Sequence, residues 1–362
     1  MFRIASYSAL LTLVMSNPVS AAENNEQCLK DLNSLPAFIL ENDAGGKALY
    51  EKKGKEYFDH LLDTARIASA ASTDNKACNK AISTYLKGWR NEHIYVKEIL
   101  AAGTGSNVLR IPTFAELSEK TIVLTLPSFS PEYREAVLDI LKSNRQALIS
   151  HPNWIIDVRM NGGGSDTTYM PILPWLMENE RLDIGGELLV TPTNIDAQLK
   201  ACGETDLACK ESLNAAAARM QAAEPGSYIA QNPKFPDGLR YTLQADLEPQ
   251  RPQRVAVLVG KRCGSSCEQF LLAVRQSYQV KLIGQPSGGA LDYSNLRRHD
   301  LPSGQRYLQY AITRTQRLPH LSVDAAGIMP DIYLPPSKDG TSPSQEVERV
   351  KRWLEGGSLR AD

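Results

Sequence analysis

The stretch VAVLVGKRCGSSCEQFLLAV, residues 255–274, reads as an apolar strand, a short turn and an amphipathic helix. The strand ends at Gly260, and beyond the turn Phe270, Leu271 and Val274 recur at helical spacing. Working outward, the same alternation repeats. TIVLTLP at 121–127 is β-branched and stops at a proline, and Tyr133, Ala136, Val137, Ile140 and Leu141 then form one helical face. WIIDVR at 154–159 is a second apolar strand, followed by the turn NGGG at 161–164 and a helix expected through Met170 to Met177. Downstream, VKLIG at 280–284, YLQYAIT at 307–313 and a short segment near Ile332 read as strands. Strand, helix, strand, helix implies crossover connections and a partly parallel sheet, hence an α/β core.

Upstream the pattern is helical over residues 23–100, with Phe58, Leu61, Leu62, Ala65 and Ala68 on one face and Asp74 placed to start a further helix. The expected organisation is a leader over 1–21, an N-terminal helical domain over 22–110 and a core over 111–362. The less regular segment 181–250 inserts into that core. MFRIASYSALLTLVMSNPVSAAEN has an early Arg3, an apolar run and the small triplet Val19-Ser20-Ala21, the layout of an export signal cut after Ala21 or Ala22. The apolar run is too short for an ordinary membrane span. A periplasmic or secreted product is expected, with no membrane span in its mature form.

The chain carries 40 Lys plus Arg against 41 Asp plus Glu. That balance argues against nucleic acid as a partner, which calls for a basic field. Six cysteines in an exported chain favour disulfides, and proximity pairs them as Cys28–Cys78, Cys202–Cys209 and Cys263–Cys267. No CxxC pair is present and the histidines do not flank the cysteines at ligand spacing, so no metal is implied.

Two segments carry chemistry. Ser265 sits between a strand and a helix, where backbone N–H groups and the helix dipole can stabilise an oxyanion. The arrangement is that of a nucleophile elbow without the GxSxG spelling, although Ser265 or Ser266 capping the helix would leave the same trace. Cys263 and Cys267 bracket Ser265, and a bridge between them would rigidify the turn and consume both thiols. DVRMNGGG at 157–164 can expose backbone N–H groups after a strand, either as an oxyanion nest or as a plain tight turn. It lacks the Lys-Ser/Thr ending of a phosphate loop.

In order along the chain, DVRMNGGG, GKRCGSSCEQFLLAV, LIGQPSGGALDYSN and AGIMPDIYLP resemble the S41 family of serine peptidases, which includes the C-terminal processing and tricorn-like peptidases. The resemblance covers roughly 85–335. It implies a crotonase-like β-α spiral core with an N-terminal helical module, a nucleophile at Ser265 and a supporting Glu268 three residues on. The processing branch uses a Ser-Lys dyad, but Ala290 stands at the lysine position, and too few residues separate His93 from the strand at 121–127 for a PDZ module. The tricorn-like branch uses Ser, His and an acidic orienter. It implies His93, in RNEHIYV, as the base and Asp324, 59 residues after Ser265, as the acid. His60, His151, His299 and His320 are weaker alternatives to His93, and Asp292, Asp331 and Glu92 to Asp324. The oxyanion donors implied are the N–H of Ser266 and that of Gly162 or Gly163, with Asn161 and Asp331 supporting the site.

The function so implied is peptide-bond hydrolysis on peptide or protein substrates through a Ser265 acyl-enzyme, with no cofactor. Two alternatives stay open: a silent peptide- or protein-binding scaffold on the same fold, motivated by Ala290, and another serine hydrolase such as an esterase.

Overall fold

Alternate residues of the apolar strands face opposite ways, and here both faces are covered. Val255, Val257 and Val259 join one core with Ile122, Leu124, Trp154, Ile156 and Phe270. Ala256 and Leu258 join another with Val123, Ile155, Ile283, Val350 and Leu354. Burial on both sides is why these strands read as unbroken apolar runs. A computed structural model describes residues 21–99, 111–178, 180–202, 207–243, 247–335 and 343–359. The leader expected over 1–21 falls outside the described residues, apart from Ala21, where the first helix begins.

The strands are β1 (Tyr95–Glu98), β2 (Thr113–Glu116), β3 (Thr121–Thr125), β4 (Asn153–Asp157), β5 (Glu180–Ile184), β6 (Gly186–Leu189), β7 (Tyr228–Ala230), β8 (Leu239–Leu243), β9 (Arg254–Val259), β10 (Val280–Gly284), β11 (Tyr293–Asp300), β12 (Arg306–Thr315) and β13 (Ile332–Tyr333). A six-stranded sheet runs β13-β10-β9-β4-β3-β2. It is parallel from β13 to β3, and β2 closes the edge antiparallel. A second sheet is built on β12, which pairs antiparallel with β1, β6 and β11, while β7 extends β6.

The crotonase-type spiral implied by the resemblance does not form. A spiral closes by stacking successive turns of the chain. Here the six-stranded sheet is open, with β13 and β2 at its edges. The chain returns instead along the ten-residue β12, whose partners come from residues 95–98, 186–189 and 293–300. The architecture is an open α/β fold with a second, antiparallel sheet.

The helices Ala21–Asn42, Gly46–Lys53, Lys55–Ala70 and Asn75–Trp89 do not have a core of their own. Leu32, Leu35, Ile39, Tyr85 and Trp89 pack with Leu308, Tyr310 and Ile312 of β12. A fully buried ion pair, Arg306 to Asp31 at 2.9 Å, joins the first helix to the same strand. Asp74 caps the fourth helix by accepting the N–H of Ala77 at 2.7 Å. The disulfide Cys28–Cys78 ties the first helix to the fourth across 50 residues. By loop-closure entropy such a bridge contributes about 4 kcal/mol. Cys202–Cys209 and Cys263–Cys267 are also bonded.

Segment 181–250 is woven into the fold rather than laid on it. It supplies β6 and β7 to the second sheet and pairs β5 with β8. The helix expected through Met177 is broken into the short pieces Asp166–Tyr169, Met170–Ile172 and Leu173–Leu176, the latter two with a proline in their first turn. No described helix is long and apolar enough to cross a membrane.

Candidate active site

β9 ends at the turn 260–264, and the helix Ser266–Val274 begins directly after Ser265. Ser265 is held at φ 57°, ψ −126°. That region suits glycine, and a side chain held there costs about 1–3 kcal/mol. Its N–H donates to Ala290 O at 2.9 Å and its carbonyl accepts the N–H of Gln269 at 3.0 Å. Ser265 occupies the N-cap position, yet its hydroxyl makes no capping bond. The reading of Ser265 as a plain helix cap is therefore not what the geometry delivers. The residue is partly exposed. Ser266 is buried, and its hydroxyl donates to Gly164 O at 2.9 Å. The buried bridge Cys263–Cys267 spans the turn from one side of Ser265 to the other, leaving no free thiol there.

The glycine turn lies against this elbow. Buried Asn161 holds it from inside: Nδ2 donates to Leu126 O at 2.9 Å and Oδ1 accepts the N–H of Gly163 at 2.8 Å. Gly163 therefore has its N–H occupied. The N–H groups of Gly162 and Ser266 make no hydrogen bond among the described residues. Gly163 is at φ +97°, and a Cβ there would stand 2.7 Å from both Gly264 O and Ser265 Cβ and 3.2 Å from Ser266 N. Only a glycine lets the turn come this close. Gly163→Ala is expected to fill the space before the Ser266 N–H and to lower kcat/KM about 10²–10³-fold, the effect of losing one oxyanion donor. Peptide kinetics check it. A variant of normal melting temperature and normal activity would refute the role of the turn.

Residues 289–293 are where the distant parts meet. Glu268, fully buried, accepts the hydroxyl of Ser287 and the N–H groups of Gly289 at 2.7 Å and Ala290 at 2.8 Å. Burial pushes its carboxyl up, and these donors oppose the shift. Asp324 Oδ1 accepts the N–H groups of Leu291 and Asp292, both at 2.7 Å. Asp292 Oδ2 in return accepts the hydroxyl of Ser322 at 2.6 Å and the N–H groups of Val323 and Asp324, both at 2.8 Å. The two aspartates thus clasp each other's backbone. Burial, with the Asp292 charge adding to it, pushes Asp324 up to about 6.

One residue further on, the Tyr293 carbonyl is bonded to Nδ1 of His93. A carbonyl only accepts, so Nδ1 carries the proton and Nε2 keeps its lone pair in the neutral ring. Burial lowers the His93 pKa below its ordinary value, with the Arg90 charge acting the same way. The orienter of His93 is thus a backbone carbonyl. Asp324 makes no hydrogen bond to the ring and acts on the segment that carries the carbonyl.

Sequence reasoning missed what holds His93 from the other side. Its backbone is at φ 57°. Arg90 donates to His93 O at 2.8 Å and to Glu92 O at 3.0 Å. Its guanidinium forks onto Asp43, at the end of the first helix, with Nη2 to Oδ2 at 2.6 Å and Nη1 to Oδ1. Asp43 also accepts the N–H groups of Gly45 at 2.9 Å and of Ala311 in β12 at 3.2 Å. The helical region is therefore bonded to the segment that carries His93. Arg90 stood beside His93 in the quoted RNEHIYV. Nothing in spacing pointed to Asp43.

The remaining candidates lie elsewhere or serve the frame. Asp331 accepts the N–H of Leu282 at 2.8 Å and pins β13 to β10. His151 bonds the carbonyls of Ala147 and Ser118, His299 stacks on Phe38, and His60, His320 and Glu92 are exposed. Ala290 is buried, and a Cβ on Gly264 would touch its methyl at 3.5 Å, so position 290 offers no ammonium to Ser265. Among the described residues, no cluster of His, Cys, Asp and Glu is placed to hold a metal ion.

The sequence model of peptidase family S41 matches residues 120–334, more than half of the chain. The α/β architecture above is the fold of that family. Among solved structures, mature CPAF is 10% identical, with 93% of this chain and 99% of that chain covered and a TM-score of 0.62. A protein from Parabacteroides merdae is 14% identical over 94% and 99%, at a TM-score of 0.53. A lipoprotein from Streptococcus agalactiae is 13% identical over 96% and 100%, at 0.50. At these identities the likeness is one of fold. No curated protein is significantly similar in sequence.

Proposed function

We propose, from the premise that this chain belongs to peptidase family S41, that it hydrolyses peptide bonds through Ser265 with His93 as the proton carrier. The observation that carries the reading is the strained backbone of Ser265, whose hydroxyl makes no capping bond while its turn is held by a disulfide. Strain of this kind persists where the surroundings over-determine it, and such outliers cluster at functional sites. In the proposed reaction Ser265 Oγ attacks the scissile carbonyl as its proton passes to His93 Nε2. The oxyanion is received by the N–H of Ser266 and that of Gly162. His93 then gives its proton to the leaving amine, and water releases the acyl group by the same route in reverse. Asp324 steadies the strand that presents the Tyr293 carbonyl, which keeps His93 in the tautomer the step needs.

A fluorophosphonate should add to Ser265 in folded wild type, and intact mass before and after Ser265→Ala should locate it. A folded protein that resists several such probes and cleaves no peptide of a diverse library would sink this reading in favour of a silent binding scaffold. Turnover of esters without peptides would favour an esterase. We also propose that the mature chain is exported. Three disulfides suit an oxidising compartment, and N-terminal sequencing of the product from a periplasmic or culture fraction tests the cut near Ala21.

A further inference from the structure

We propose that Arg90 is a positioning residue of this site: its guanidinium holds both partners of the His93–Tyr293 hydrogen bond, and so fixes the ring that receives the Ser265 proton. The inference rests on the roles given above to Ser265 and His93. Arg90 directly follows the fourth helix. Its side chain is 7% exposed, and that of its partner Asp43 is fully buried. On one side Nη2 donates to His93 O at 2.8 Å and Nε to Glu92 O at 3.0 Å, a grip on the backbone just where His93 is held at φ 57°. On the other side the guanidinium carbon lies 5.0 Å from the centre of the Tyr293 ring. His93 and Tyr293, 200 residues apart in sequence, are thus joined twice: directly, by Nδ1 on the Tyr293 carbonyl, and again through Arg90.

A guanidinium is costly to bury unless its charge and its donors are used. Here the fork onto Asp43 balances the charge, while Nη2 and Nε serve the two carbonyls as well. Gly45 closes the stack. A Cβ there would stand 2.8 Å from Tyr293 Cε1 and 3.0 Å from Arg90 Nη1, so the backbone at 45 presses on both residues. A left-handed conformation is unfavourable for a residue with a side chain, and the two carbonyl bonds from Arg90 supply a restraint that His93 lacks by itself. Lysine could not replace the arginine. Its single nitrogen cannot serve a carboxylate and two carbonyls from a rigid fork, and it has no flat face to lay on an aromatic ring.

The test compares wild type with Arg90→Lys, Tyr293→Leu and the double variant. For each, kcat and KM on a peptide are measured, and the imidazole nitrogens are read by NMR at about pH 8, where the rings are neutral. Isotope-labelled histidine marks the five rings of the chain, and His93→Gln assigns the signals of His93. In wild type the ring should be a single tautomer protonated at Nδ1. Arg90→Lys should lower kcat about 10- to 100-fold with KM little changed, the cost of a misplaced catalytic group, and its ring signals should average over two tautomers. Tyr293→Leu keeps the carbonyl and the ion pair, and should lower kcat about three- to tenfold through loss of the ring contact. Because the ring acts through Arg90, the double variant should be no worse than Arg90→Lys alone. A folded Arg90→Lys with wild-type kcat and one tautomer would overturn the role, as would losses that multiply in the double variant. If Arg90→Lys does not fold, Tyr293→Leu decides: reduced kcat with mixed tautomers supports the role, and wild-type values of both overturn it. A wild type inert to peptide and probe overturns the reading of Ser265 instead, and the ring spectra alone then decide whether Arg90 holds His93.

Discussion

Ser265→Ala should remove essentially all peptide hydrolysis, lowering kcat by about 10⁶-fold, the cost of deleting a serine that acts as one unit with its base. The expected remainder is what the oxyanion turn and substrate binding supply without a nucleophile. Ser265→Gly should be equally inactive but more stable than the alanine variant. At φ 57°, ψ −126° both serine and alanine carry the strain, whereas glycine does not. Relief is worth about 1–3 kcal/mol, and the extra freedom of glycine in the unfolded chain takes back about 0.5–1 kcal/mol. A net gain of about 1 kcal/mol over Ser265→Ala is expected from urea unfolding with the disulfides intact. Equal stability of the two variants would show that the elbow stores no strain, and retained turnover in either would remove Ser265 from the chemistry. The prediction joins two properties that are often argued apart. The same backbone geometry that lifts the hydroxyl out of the helix cap also makes the native fold less stable than it could be.

The elbow and the doubly covered sheet were legible because their causes are local. VAVLV shows burial on both faces in five residues, and a serine between strand and helix needs no distant partner to be noticed. The three disulfides were legible from proximity alone. The second sheet was not. β1 and β11 are short or half-polar, and they become strands because β12 pairs them, so no window around Tyr95 or Tyr293 contains the reason. The closed spiral failed for the same cause: it was carried over from the resemblance, and the return along β12 leaves the six-stranded sheet open. At the candidate site, His93 and Asp324 were singled out through the family resemblance. Their link was not, because it runs through backbone groups: the Tyr293 carbonyl and the amides of Leu291 and Asp292. Side-chain identity carries no record of such bonds. Asp43 was silent for a related reason, since its partner Arg90 lies 47 residues away along the chain.

Asp324→Asn is expected to lower activity and to raise stability at neutral pH. The carboxyl rises from its ordinary 3.8 to about 6 in the fold, chiefly through burial. A group whose folded value is raised binds its proton more tightly when folded, so its contribution is fully present below pH 4 and is lost as the pH climbs through 6. That loss amounts to about 3 kcal/mol, since each pH unit between the two values is worth about 1.4 kcal/mol. Asparagine cannot ionise, so the loss disappears. Relative to wild type, the variant should gain up to about 3 kcal/mol between pH 4 and pH 7, read from urea unfolding at the two values. Its amide oxygen can still accept the N–H groups of Leu291 and Asp292, but without the charge. Weakening two charge-assisted bonds by about 1–3 kcal/mol in all would loosen the Tyr293 carbonyl and lower kcat/KM by about ten- to a hundredfold. The wild-type acidic limb adds a check on His93. Because burial lowers that imidazole, the neutral base should persist below pH 6.5, and activity should fall only at lower pH. A variant that is less stable than wild type by the same amount at pH 4 and pH 7 would mean that Asp324 is not held ionised at a cost. The clasp would then be ordinary framework, and the Tyr293 carbonyl would hold the tautomer of His93 without its help.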